Sequence, residues 1–154
     1  MTNYIPDGTV IPDMLASAEA FAAFCTARGV PVPSNGDALL HAVTPLVLDA
    51  ASDAWYDVDP ATGLAVSPMI ADALTDATCL QALAWAKLNI DPDTGGVITA
   101  GIRTGKGIGS ARVSYADTAD AAAARAAAVT GLVPAAVTRL RQVNLITGTA
   151  WSIG

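Results

Sequence analysis

Gly105-Lys106 is the point where this 154-residue chain comes nearest to a phosphate-binding loop. Such a loop needs Gly, four residues, then Gly-Lys-Ser/Thr, so that backbone amides cradle phosphate and the hydroxyl holds magnesium. Here Ala100 stands at the first glycine position and Gly107 where the hydroxyl belongs. Gly105-Lys106-Gly107-Ile108-Gly109 also departs from the dinucleotide fingerprint, and the surrounding pattern is not strand, turn and helix. These glycines read as chain freedom rather than as a phosphate cradle.

The remaining candidates are sparse. Asp91-x-Asp93 with Gly96 hints at a calcium loop, but Ile102 occupies the position where a bidentate Glu must close the coordination shell. His41, the only imidazole, lies between Leu40 and Ala42 in a helical pattern without a nucleophile motif, and reads as a packed or half-exposed structural residue. Asp57 and Asp59, beside Trp55 and Tyr56, could exchange a proton but read as a solvated turn before Pro60. Cys25 and Cys79 lack CxxC spacing and read as two buried free thiols. Arg103, Lys106 and Arg112 form the one local basic cluster, suited to DNA phosphates or to salt bridges with a neighbouring subunit. No catalytic set, metal site or cofactor site emerges, and the reading is of a non-enzyme.

The elements that position these residues follow from periodicity and punctuation. Residues 1–16 hold Pro6, Gly8 and Pro12 among isolated apolar side chains and read as an extended docking arm, with Tyr4, Ile5, Val10 and Ile11 as its contacts. Ser17 caps a helix through Arg28, and Gly29 stops it. Asp37 opens a second helix, with Pro45 inside it predicted to kink or divide it. Ser67-Pro68 opens the longest helix, about six turns to Lys87. The pentads starting at Asp59 and Asp91 read as tight turns.

From Gly96 to Ala116 the helical period vanishes among glycines and β-branched residues, which predicts a long β-hairpin or extended loop. Helices follow from Thr118 and from Pro134, then an apolar tail with no evident core position. The divisions are an arm over 1–16, a helical core over 17–95, the hairpin over 96–116, C-terminal helices over 117–144 and a tail over 145–154. The predicted fold is mainly α: a small bundle of four to five helices with a Gly-rich hairpin insertion and two extended arms.

Composition and charge narrow the function classes. Aromatics make up only 5% of residues and alanine supplies much of the apolar fraction, so thin, closely packed helix layers are expected. The sequence reads as free of any apolar run near the ~18 residues that span a bilayer, and of a signal peptide, which predicts residence in the cytoplasm until assembly. Residues 1–93 hold twelve acidic side chains against Arg28 and Lys87, whereas residues 94–154 hold Asp117 and Asp120 against six basic ones. An acidic first part and a basic second part suit head-to-tail contact between copies, or simply make two differently solvated faces.

The order of features resembles that of tailed-phage head-to-tail connector proteins, the head completion adaptor family also labelled DnaT-like. The shared phrases are Ser17-Ala18-Glu19-Ala20-Phe21, Arg28-Gly29, Leu48-Asp49, Trp55, Pro68, Cys79 to Ala84, Gly107 to Ala116 and Leu132 to Val137. They cover nearly the whole chain, and the last two are the most telling. The resemblance implies a ring, usually a dodecamer, beneath the portal protein in the virion neck, meeting the next tail-side connector and surrounding passing DNA. It implies a helical bundle from the first three helices. On this reading Arg103, Lys106 and Arg112 face a neighbour or the lumen, and a tail of Leu145, Ile146, Trp151 and Ile153 anchors on the portal. Two other roles remain open from sequence: a single-stranded DNA-binding or replication accessory module, and the adjacent stopper or tail-terminator ring protein.

Overall fold

The computed structural model describes residues 8–94 and 111–146, with the backbone alone at 94 and 111–119. The described chain is mainly helical: α1 (Ala18–Ala27), α2 (Gly36–Ala50), α3 (Pro68–Lys87), α4 (Ala111–Thr130) and α5 (Pro134–Arg141), with a 3-10 turn at Pro92–Thr94. Among the described residues there is no strand, only an antiparallel bridge between Val58 and Ala65.

Local chemistry explains the helix ends. Ser17 accepts the Ala20 amide at 3.0 Å and starts α1. Gly29, at φ +70, closes α1 with the Val30 amide on the Cys25 carbonyl and its own amide on Thr26. The same paired closure recurs after α3 at Asn89 and after α5 at Asn144, both at positive φ, a conformation that Asn tolerates better than most side chains. Ser67 occupies the cap position of α3 without a side-chain bond, and Pro68 supplies the fixed φ of a first helical residue.

α3 is the axis of the bundle, packed mainly on α2 and α5 and touching α1 and α4. Two apolar clusters lie along it. One joins Phe21 and Cys25 of α1 to Leu39, Leu40 and Val43 of α2 and to Cys79, Leu83 and Trp85 of α3. The other joins Val47 of α2 and Leu74 of α3 to Ala136 and Leu140 of α5. Many layers meet through alanine, as the composition requires.

Four sequence expectations are corrected. Pro45 does not divide α2, which runs unbroken from Gly36 to Ala50. The predicted hairpin does not extend to Ala116, because α4 begins at Ala111; all the glycines of that stretch precede Ala111, and the alanine-rich chain beyond it favours helix. The rest of the expected hairpin, 96–110, lies outside the described residues. Leu145 and Ile146 do not belong to a free tail: the Asn144 turn folds Leu145 into the second cluster, 4% exposed, with Ile146 packed beside it. Finally, Asp120–Arg141 is long and apolar enough to cross a membrane by length and composition. Alanine makes up most of its apolar residues, and the stretch is broken between Thr130 and Pro134.

Candidate assembly surface

The arm that enters the bundle does so through backbone polar groups. The Leu15 amide donates to Thr44 Oγ1 of α2 at 3.2 Å, and the Leu15 carbonyl accepts from Thr75 Oγ1 of α3 at 3.0 Å. Thr44 Oγ1 itself donates to the Leu40 carbonyl, so one buried hydroxyl serves both the helix and the arm. Leu15 and Ala16 are buried, whereas Val10 and Ile11 stay exposed at 47% and 66%. The arm therefore docks first on its own chain.

The α2–α3 connection folds back on itself as a short ribbon. The Asp59 amide donates to the Leu64 carbonyl and the Val66 amide to that of Asp57, while Asp59 Oδ1 accepts the Ala61 amide and tightens the turn. Gly63, at φ +72, sits where an added Cβ would meet the Val10 carbonyl oxygen and Pro12 Cδ, so only glycine lets the arm lie against this turn. The Val10 amide fixes that contact by donating to the Pro60 carbonyl at 3.0 Å.

Exposure alternates along both ribbon segments, as the two-residue period of extended chain dictates. Tyr56, Val58 and Ala65 turn inward, whereas Trp55, Asp57, Asp59, Leu64 and Val66 turn outward. Trp55 is 67% exposed and Val66 62%, and Met69 in the first turn of α3 matches them. Burial pushes the Tyr56 hydroxyl pKa upward. The expectation of a solvated Asp57–Asp59 turn thus holds, with large apolar side chains added to the same face.

The opposite end of α3 carries a polar latch. Gln81 Nε2 donates to the Ala128 carbonyl at 2.8 Å and to that of Gly131 at 3.1 Å, while its Oε1 accepts the Val133 amide at 2.8 Å. Trp85 Nε1 also donates to the Ala128 carbonyl. These bonds satisfy carbonyls that the end of α4 leaves without helical partners. Arg125 Nε donates in return to the Leu88 carbonyl at the end of α3. The sequence alone assigns Gln81 and Trp85 no bonding role; a lone amide within an apolar helical run is the available signal.

Of the predicted contact residues, Val10 and Ile11 are exposed, Leu145 and Ile146 pack inside, and Arg112 lies within α4. Tyr4, Ile5, Arg103, Lys106, Trp151 and Ile153 lie outside the described residues. Cys25 and Cys79 are free and buried, with burial pushing both thiols up, Cys79 to about 12. His41 is exposed rather than packed. Asp91 Oδ1 accepts the Asp93 amide, and among the described residues no group of three acidic, His or Cys side chains is arranged to hold a metal ion. A shallow cleft of about 390 Å³ lies between Pro33–Asn35 and Ala86–Pro92. Arg28 stacks over Phe24 at 4.5 Å, and Arg139 pairs with Asp76 at 2.9 Å, so part of the basic complement is engaged within the subunit.

The comparisons identify no relative: no family model matches the sequence, no curated protein matches it, and no solved structure matches the fold.

Proposed function

We propose that this chain is a structural subunit of a tailed-phage neck, a head-to-tail adaptor that forms a ring beneath the portal and joins it to the next tail-side connector. The observation that carries this reading is the outward face formed by the ribbon and the arm. Trp55, Leu64, Val66, Met69, Val10 and Ile11 are 40–67% exposed, and among the described residues Val32 is the one other large apolar side chain left so open. Large apolar side chains grouped on one rigid surface are what an interface requires, and they carry a solubility cost on a lone monomer. The resemblance of the chain's layout to connector proteins supplies the kind of assembly. The uneven charge along the sequence supplies a physical means for copies to orient head to tail.

In this reading the bundle is the ring's wall, DNA is passing cargo, and the protein needs neither catalysis nor a cofactor. It resides in the host cytoplasm during assembly and in the virion neck afterwards. Light scattering on the purified full chain, alone and mixed with a portal protein, tests it. A closed ring, or a monomer that becomes multivalent on the portal, is expected. A monomer indifferent to the portal at both low and moderate salt rejects the adaptor role.

A further inference from the structure

We infer that the outward face of the 55–66 ribbon is the seat for residues 97–110 of a second copy of this chain. The inference deepens the assembly reading and rests on it, and three observations carry it.

The first is charge. No Lys or Arg occurs between Gly29 and Ala86, and the ribbon face presents Asp57 and Asp59 between its apolar side chains. The Asp57 carboxylate has no bonded partner among the described residues, while Asp59 spends one oxygen on its own turn. Residues 94–116 are the converse, with Arg103, Lys106 and Arg112 and no Asp or Glu. Opposed patches of this kind fix both the choice of partner and its orientation.

The second is side-chain character. The ribbon face alternates Trp55, Asp57 and Asp59 on one segment and carries Leu64 and Val66 on the other. Residues 97–110 intersperse Val97, Ile98, Ile102 and Ile108 with Arg103 and Lys106. An extended chain laid on the ribbon places apolar on apolar and cation near carboxylate.

The third is reach, which decides between the chain's own segment and a second copy's. The ribbon adjoins the start of α3, whereas Thr94 follows its far end, about 30 Å away for twenty helical residues. Arg125 meets Leu88, and Ala128 meets Trp85 and Gln81, so α4 runs antiparallel to α3 and its first residue, Ala111, lies beyond that same far end. The chain between Thr94 and Ala111 spans at most about 60 Å fully extended. Going to its own ribbon and back consumes all of that and leaves nothing to lie along the face. A neighbour's ribbon has no such constraint.

Zero-length carbodiimide coupling on an equal mixture of normal and heavy-isotope full-length chains tests this. The expected product joins the Lys106 amine to Asp57 or Asp59 in mixed-isotope peptide pairs, and raised salt depletes it. Self-association should fall about tenfold in Asp57→Lys and in the Arg103→Glu, Lys106→Glu double variant, and return when the two are mixed, because each then supplies the charge the other lacks. Circular dichroism confirms that both variants fold. If copies associate but Lys106 couples elsewhere, or the variants associate as the wild type does, this docking is wrong and the adaptor reading stands. If copies fail to associate both alone and on the portal, both fall.

Discussion

The helices α3 and α4 have the same length, 20 residues each, and opposite situations. Nine side chains of α3 are buried, on a face that includes Leu74, Thr78, Gln81 and Trp85 and meets four other helices. Along α4, from Asp120 to Thr130, only Ala128 is buried. Tertiary packing therefore holds α3, whereas alanine propensity and the few bonds of its last two turns hold α4. Equal secondary structure thus conceals two kinds of stability, one global and one local, and substitutions should separate them.

The largest effect is expected on α3. Leu74→Ala removes a buried side chain from the second apolar cluster, which alanine-lined layers cannot readily refill. A loss of about 2–5 kcal/mol is expected, read as a lower urea midpoint of the whole far-ultraviolet transition. If the midpoint stays put, α3 is not the axis on which the fold depends.

Next comes the joint between the two helices. Gln81→Leu keeps the volume but leaves the Val133 amide and the Gly131 carbonyl without the side chain that now serves them. About 1–3 kcal/mol should be lost, the cost of stranded polar groups. Hydrogen exchange should show α4 and α5 losing protection before α3 does. Uniform loss across all helices would mean that α4 is not a separately attached element.

The joint also shows what sequence can and cannot disclose. α1, α3 and α5 announce themselves through Ser17, Pro68, Gly29 and Pro134, because caps and stops are local chemistry. The burial of Cys25 and Cys79 was equally legible, from two thiols in apolar periodic runs. Leu145 was not, because its place in the core depends on Asn144 adopting positive φ and turning the chain back, which apolar periodicity does not encode. The beginning of α4 is not legible, because the β-branched residues and glycines before Ala111 carry a non-helical pattern up to a segment that alanine makes helical. On the candidate surface, the acidic turn was readable from Asp57 to Gly63. The exposure of Trp55 and Val66 beside it required the ribbon's alternation, and the Gly63–Val10 contact required the fold itself.

A third test uses pH and reads Cys79 on α3. Burial, with Asp76 and Cys25 adding to it, pushes the Cys79 thiol from 9.0 to about 12, so the folded state holds its proton more tightly than the unfolded chain does. That contribution is complete below about pH 9 and is lost as pH rises from there toward 12. Urea midpoints should therefore be insensitive to this group at neutral pH and decline above pH 9, and Cys79→Ala should flatten the decline. An unchanged alkaline limb in Cys79→Ala would assign the loss to Cys25 and Tyr56, whose pKa values burial also raises.

The smallest effect tests the most. Ala123 is exposed on α4, two residues before the Arg125 anchor, and touches no apolar cluster. Ala123→Gly should cost up to about 1 kcal/mol of helix propensity. Where that cost appears is the informative part. If α4 is held locally, the upstream turns should exchange amide hydrogens faster while the global urea midpoint barely moves, since the latch at Ala128 lies downstream of the change. The same change in assembled protein distinguishes the helix's purpose. Unaltered exchange there would mean that a neighbouring copy covers α4 and supplies the packing its own chain withholds, whereas equal loosening in both states would make α4 a solvated spacer between the segment 95–110 and the bundle.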